Sequence, residues 1–182
     1  MKTMMVIRGA TLHTQLRETT YQELERQTLT FVPPTIKRQF SVDPIQITQL
    51  QLTPSRESET LQAHGVAQSA GHKYDPTVLF TNVLYDDGDQ PDNITFVASD
   101  GEEYYIDPIL LARSNCKVGC NCLDFYWRFA VWNATDDSLL GTVPGPYVKT
   151  TNRPPVNPRR VSGVCKHIMK LIIALKDAGL VR

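Results

Sequence analysis

The sequence predicts an α+β protein: an extended N-terminal arm, a small antiparallel β-sheet, and a C-terminal module with a terminal α-helix, stapled by clustered cysteine and histidine side chains. Three observations predict it. Asp100-Gly101 lies between two short β-like runs, a strong hairpin signal. Ile168, Leu171, Ile172 and Leu175 make an apolar stripe at helical spacing over 164–180. All four cysteines fall between Cys116 and Cys165, and His167 follows the last by two residues. The expected organisation is an arm over 1–40, a small antiparallel β region over 41–112 and the stapled module over 113–182.

The arm is polar, with one weak helix over 14–27, where Leu16, Tyr21 and Leu24 partly match helical spacing. So few apolar residues require a partner surface for stability. Phe31-Val32-Pro33-Pro34 ends the helix, because proline cannot continue it. Pro44-Ile45-Gln46-Ile47 alternates as a strand does. Leu50 and Leu52 resume the alternation one residue out of phase, which predicts a bulge. Residues 60–66 read equally as strand or loop, and 77–85 reads as a buried strand. Asp86-Asp87-Gly88-Asp89 is a turn; it lacks the alternate spacing and closing glutamate of a calcium loop. Runs 94–98 and 103–106 form the hairpin. Asp124 is placed to cap a short helix with Phe125, Phe129 and Trp132 on one face. Residues 141–163 hold five prolines and three glycines, too many for a helix or central strand. Gly179 is placed to close the last helix.

Composition narrows the function classes. A chain of 182 residues makes one domain, or one with a small appendage. Its 41% hydrophobic content and balanced charge, 19 basic against 19 acidic residues, argue against a wholly disordered chain. No apolar run approaches the ~20 residues that cross a bilayer, so no membrane partner is expected. The opening MKTMMVIRGATLH has a four-residue apolar stretch, short of the ~7–15 residues of a signal-peptide core, so a reducing compartment is expected. The charge is nonetheless divided. Residues 1–112 carry 8 Lys and Arg against 15 Asp and Glu, and residues 113–182 carry 11 against 4. Such a division marks a nucleic-acid-facing half, contacts between subunits, or two solvated faces of uneven composition.

The chemistry concentrates in Cys120-Asn121-Cys122 and Cys165-Lys166-His167. Structural zinc takes four ligands in a tetrahedron, usually Cys or His, and two such pairs complete one site. Residues i and i+2 of a strand lie nearly 7 Å apart, whereas two thiolates on one zinc lie roughly 3.8 Å apart. The chain at Cys120–Cys122 therefore curls, with Gly119 expected to help. In a helix, i and i+2 point to opposite sides, so Cys165 must precede or open the last helix. Two disulfides and unligated buried thiols are the alternatives. Cys116 is a spare core thiol or replaces one ligand.

The C-x-C then C-x-H order resembles the SWIM zinc finger, in which a β-hairpin carries the first pair and a helix start the second. The resemblance covers 118–175 and implies Zn2+ held by Cys120, Cys122, Cys165 and His167. Its spacer of 42 residues is longer than such domains usually carry. The longer string, CNCLDFYWRFAVWN, then PGPYVKTTNRPPVNPRR, then VSGVCKHIMKLIIAL, is similar to SWIM-like proteins encoded by tailed bacteriophages. That similarity implies a structural virion protein, assembled in the host cytoplasm and docked onto neighbouring subunits of an oligomeric particle. SWIM domains otherwise suggest nucleic-acid binding.

Arg128, Lys149, Arg153, Arg159, Arg160 and Lys166 are the candidate contacts for phosphates or a protein partner, the alternative being a merely solvated loop. Phe125, Tyr126, Trp127, Phe129 and Trp132 either stack on bases or fill the core of the small module. Catalysis has little support: His13, His64 and His72 lie in polar segments without a paired nucleophile, and four protein ligands leave a zinc ion no open position. No enzyme activity and no small-molecule substrate are expected. Asn93-Ile94-Thr95 and Asn133-Ala134-Thr135 match the glycosylation pattern, which has meaning only in a secreted chain.

Overall fold

The computed structural model describes residues 19–31, 40–88, 90–145, 152 and 154–182. The first element is helix α1, Tyr21–Leu29. Thr20 caps it by accepting a hydrogen bond from the Glu23 N–H at 3.3 Å. Tyr21, Leu24 and Thr28 share its buried face. The sequence places a weak helix in an extended arm; the described part of it, from Thr19 to Phe31, is instead built into the core, where Phe31 packs edge-on against Phe129 at 5.9 Å. Residues 14–18 and Val32-Pro33-Pro34 lie outside the described residues.

The larger sheet contains β1 (Gln46–Ser55), β2 (Thr60–Ser69), β3 (His72–Tyr74), β4 (Thr77–Thr81) and β8 (Cys116–Gly119). Its order is β1-β2-β4-β8, with β3 also paired to β2, and every pairing is antiparallel. The expected bulge is present: the β1/β2 register shifts between Ile47 and Gln49. Residues 60–66, open between strand and loop, are strand. The inner face carries Leu61, Ala63, Ala67, Val78, Phe80 and Val118. The run 77–85 stops earlier than its composition suggests, because Asn82 takes φ 57° and turns the chain out of the sheet.

A second sheet, ordered β5-β7-β6, holds β5 (Tyr85–Asp86), β6 (Ile94–Val97) and β7 (Glu103–Ile106). The last two form the Asp-Gly hairpin. Beyond β8 the chain enters a composite helix: α2 (Leu123–Phe125), a π turn (Tyr126–Ala130) and α3 (Val131–Thr135). Asp124 is not its cap. Cys122 is, its sulfur accepting from the Phe125 N–H at 3.3 Å. The described residues of the proline-rich stretch carry no helix or strand.

The last helix, α4 (Lys166–Asp177), lies against β1, β2 and β4. Its axis comes close to the sheet at Gly65, where a Cβ would meet Leu171 Cδ1 at 2.9 Å. Gly179 does close it, at φ 74°. The Gly179 N–H reaches Lys176 O and the Leu180 N–H reaches Leu175 O, both at 2.9 Å, the double bond of a Schellman end. No helix among the described residues is long and apolar enough to cross a membrane.

Candidate metal centre

Cys120, Cys122, Cys165 and His167 converge where β8 ends and α4 begins. One potential ligand atom from each lies within 4.8 Å of all the others. Cys122, Cys165 and His167 are buried and Cys120 is half-buried. Each position follows from local structure. Cys120 is the first residue beyond β8, and Cys122 is already the cap of α2, so the C-x-C pair sits on a strand-to-helix corner. Cys165 caps α4 in extended geometry, φ −85° and ψ 167°, so it stands outside the helix while His167 lies in the first turn. That resolves the i, i+2 problem. Gly119 serves otherwise than expected: its φ is not positive, and a Cβ there would meet Leu140 O at 2.5 Å. The 138–140 segment runs alongside β8, with Val118 N–H donating to Ser138 O and Leu140 N–H to Val118 O.

His167 turns Nδ1 toward the thiols, 3.9 Å from both Cys120 Sγ and Cys165 Sγ. A tetrahedral zinc requires sulfur–nitrogen edges of roughly 3.6 Å and sulfur–sulfur edges of roughly 3.8 Å. Tyr74 of β3 stacks on the imidazole at 4.1 Å with 23° between planes. His167 Nε2 is buried without a hydrogen-bond partner among the described residues.

The electrostatics of the quartet also suit a cation. Hydrogen bonds from Cys120 and Cys165 pull the Cys122 thiol far below an ordinary cysteine. Donating to Cys122 pushes Cys120 up, and burial raises Cys165. Three sulfurs held this close repel one another when deprotonated; a metal ion among them would relieve that repulsion, and its binding displaces thiol protons. The donor set of three thiols and one imidazole fits a borderline-soft divalent ion. The four residues are thus a cluster that can bind a metal. They form no disulfide, and Cys116 stands apart in the apolar core. A cleft of about 290 Å³, lined in part by Asp75, Asn121, Tyr126 and Leu140, opens beside Cys120.

The backbone leading into Cys165 is held by residues that spacing does not reveal. Asn133 in α3 clamps Gly163 from both sides, its Oδ1 accepting from the Gly163 N–H at 2.9 Å and its Nδ2 donating to Gly163 O at 3.1 Å. Ser162 Oγ donates to Trp132 O at 3.0 Å. Thr28 in α1 accepts from the Val164 N–H at 2.8 Å. Asn157 fixes the turn upstream, donating to Arg128 O and Val161 O.

The candidate basic contacts among the described residues differ in exposure. Arg128 is only 1% exposed. It pairs with Asp124 at 2.5 Å and lies over the rings of Phe129, Phe40 and Phe31. Burial lowers its pKa and raises that of Asp124, each opposed by the partner's charge. It is a core residue and not a surface contact. Arg159 and Arg160 are exposed on the Asn157 turn, and Arg160 lies 6.0 Å from the Trp132 ring centre. Lys166 is half-buried at the first position of α4. Lys149 and Arg153 lie outside the described residues. Of the aromatic set, Phe125 and Phe129 are core, whereas Tyr126 and Trp127 are exposed.

Comparison of the chain with family models, with curated proteins and with solved structures finds no match.

Proposed function

We propose that this chain is a structural zinc protein, and that it serves as a component of a tailed-bacteriophage particle, docking onto neighbouring subunits. The observation that carries the zinc reading is the Cys120, Cys122, Cys165 and His167 quartet, nearly enclosed and supplying four protein donors. Four protein ligands close a tetrahedral zinc site, which then contributes folding free energy and no open catalytic position. The particle reading is supported by the likeness of the CNCLDFYWRFAVWN and VSGVCKHIMKLIIAL strings to phage SWIM-like proteins. It is supported also by two large apolar side chains left exposed on the helix that follows Cys122, Leu123 at 72% and Trp127 at 50%. Elemental analysis of natively purified protein is expected to return one zinc per chain. Mass spectrometry of purified particles is expected to find the chain in them, and its absence there ends the particle reading.

A second reading, a zinc-dependent nucleic-acid-binding protein, is favoured by the exposed Arg159-Arg160 pair on its braced turn. A mobility-shift titration with the full chain separates the two. Phosphate contacts make affinity fall steeply with salt, and no binding at low salt eliminates this reading.

A further inference from the structure

We propose that α1 is a working part of the metal centre: Thr28 positions the Cys165–His167 pair, and zinc binding and docking of α1 onto the core depend on one another. The inference rests on the zinc reading above.

The two ligand pairs sit on separate elements, and the α1 region is tied to both. Thr19, just before α1, accepts through its carbonyl from the Cys116 N–H at 2.9 Å, at the first residue of the strand that leads to Cys120 and Cys122. Thr20 and Asn115 form an antiparallel bridge beside it. At the other end of α1, Thr28 Oγ1 accepts from the Val164 N–H, one residue before Cys165. The same hydroxyl donates to Leu24 O at 2.8 Å, so its proton and lone pair are both committed. Thr28 is fully buried. It also sits so close to Gly163 that a Cβ there has no room. The stretch from Thr19 to Thr28 thus bridges the two ligand-bearing segments, with its cap residues on one and Thr28 on the other.

The helix has little of its own to hold it. Nine residues make a marginal helix in water, and its buried apolar residues are Tyr21 and Leu24. Besides the Gln22 N–H bond to Leu111 O at 3.0 Å, its backbone ties run to the segments that the quartet would draw together. An ion joining Cys120 and Cys122 to Cys165 and His167 fixes those segments at the spacing that α1 bridges. By linkage, any factor by which a docked α1 strengthens zinc binding is the factor by which zinc strengthens docking. Outer groups that orient metal ligands typically change affinity by about 10–100-fold when removed.

The test uses the full chain with zinc as the probe. Chelator competition measures zinc affinity for wild type, Thr28→Val and Thr28→Ser. Hydrogen exchange of the α1 amides is followed in wild type with and without zinc. The expected result is about tenfold weaker binding for Thr28→Val, recovery with Thr28→Ser, which restores the hydroxyl, and slower α1 exchange when zinc is bound. A purely structural role for Thr28 would lower stability with and without zinc alike and leave affinity unchanged. If wild type binds zinc but Thr28→Val binds it equally well, or if α1 exchange ignores zinc, this proposal is overturned while the zinc reading stands. If wild type binds no zinc, both fall. The exchange measurement needs no variant, so a Thr28→Val chain that does not fold leaves the proposal testable.

Discussion

Two buried cysteines of this chain predict opposite responses to the same substitution. Cys165→Ser removes one of the four donors of the proposed zinc site, so zinc content is expected to fall sharply and the region around α4 to lose its staple. Cys116→Ser is expected to keep zinc at the wild-type level. It is not silent, however, because Cys116 lies in apolar surroundings opposite Phe80. A serine hydroxyl without a partner there costs about 1–3 kcal/mol. Metal analysis with urea unfolding of the two variants checks both statements. Cys116 also has a pH signature. Burial lifts its thiol from 9.0 to about 12. The unfolded chain releases that proton near 9 and the folded chain keeps it, so this contribution is intact below 9 and is lost as pH climbs toward 12. The alkaline decline in stability is expected to be shallower in Cys116→Ser. The four members of the cluster were legible in the sequence because metal chemistry constrains residue type and spacing locally. Thr28 was not, since its partner is 136 residues away. Asn133 was visible only as part of a glycosylation pattern. Arg128 read as a surface cation because sequence does not show that three phenylalanines and Asp124 enclose it.

At the scale of elements, a tight seam joins the segment before α4 to α1 and the π turn. A Cβ at Gly163 would lie 2.6 Å from Phe129 Cε1 and would also press on Thr28. Both neighbours are fully buried and held from other sides. At Gly65 the obstacle is Leu171 Cδ1, the far end of a flexible side chain. Gly163→Ala is therefore expected to cost about 2–3 kcal/mol by overpacking, and Gly65→Ala clearly less. Urea midpoints of the two variants at unchanged slope provide the comparison. Elements written by nearest neighbours were legible: the bulge near Thr48, the Asp-Gly hairpin, and α4 with its Gly179 end. Elements made by distant partners were not. The 138–140 segment joins β8 through two backbone hydrogen bonds that no side-chain pattern announces. The weak N-terminal helix looked unsupported because its support comes from the opposite end of the chain. Pattern rules also ran 77–85 as one strand, where a single left-handed residue, Asn82, divides it between two sheets.

For the whole molecule, the quartet closes the chain on itself. β8 lies beyond residue 112 yet pairs with β4, so the strand leading to Cys120 belongs to the same sheet as the middle of the sequence. α4 lies on that sheet's inner face. An ion at the quartet would therefore tie the sheet edge to the helix covering it and pin the intervening loop at both ends. Zinc that binds the folded chain alone stabilises it by about 4 kcal/mol at a thousand times Kd. For a chain of this size each kcal/mol moves Tm by roughly 2–4 °C. Chelation is thus expected to lower Tm by about 8–16 °C at neutral pH. Protons compete with the ion for three thiolates and the imidazole, so affinity falls as pH falls. The difference between chelated and zinc-loaded protein should accordingly narrow in acid. Calorimetry across pH, with and without chelator, measures that narrowing, and equal Tm values at every pH would mean that no ion contributes to the fold.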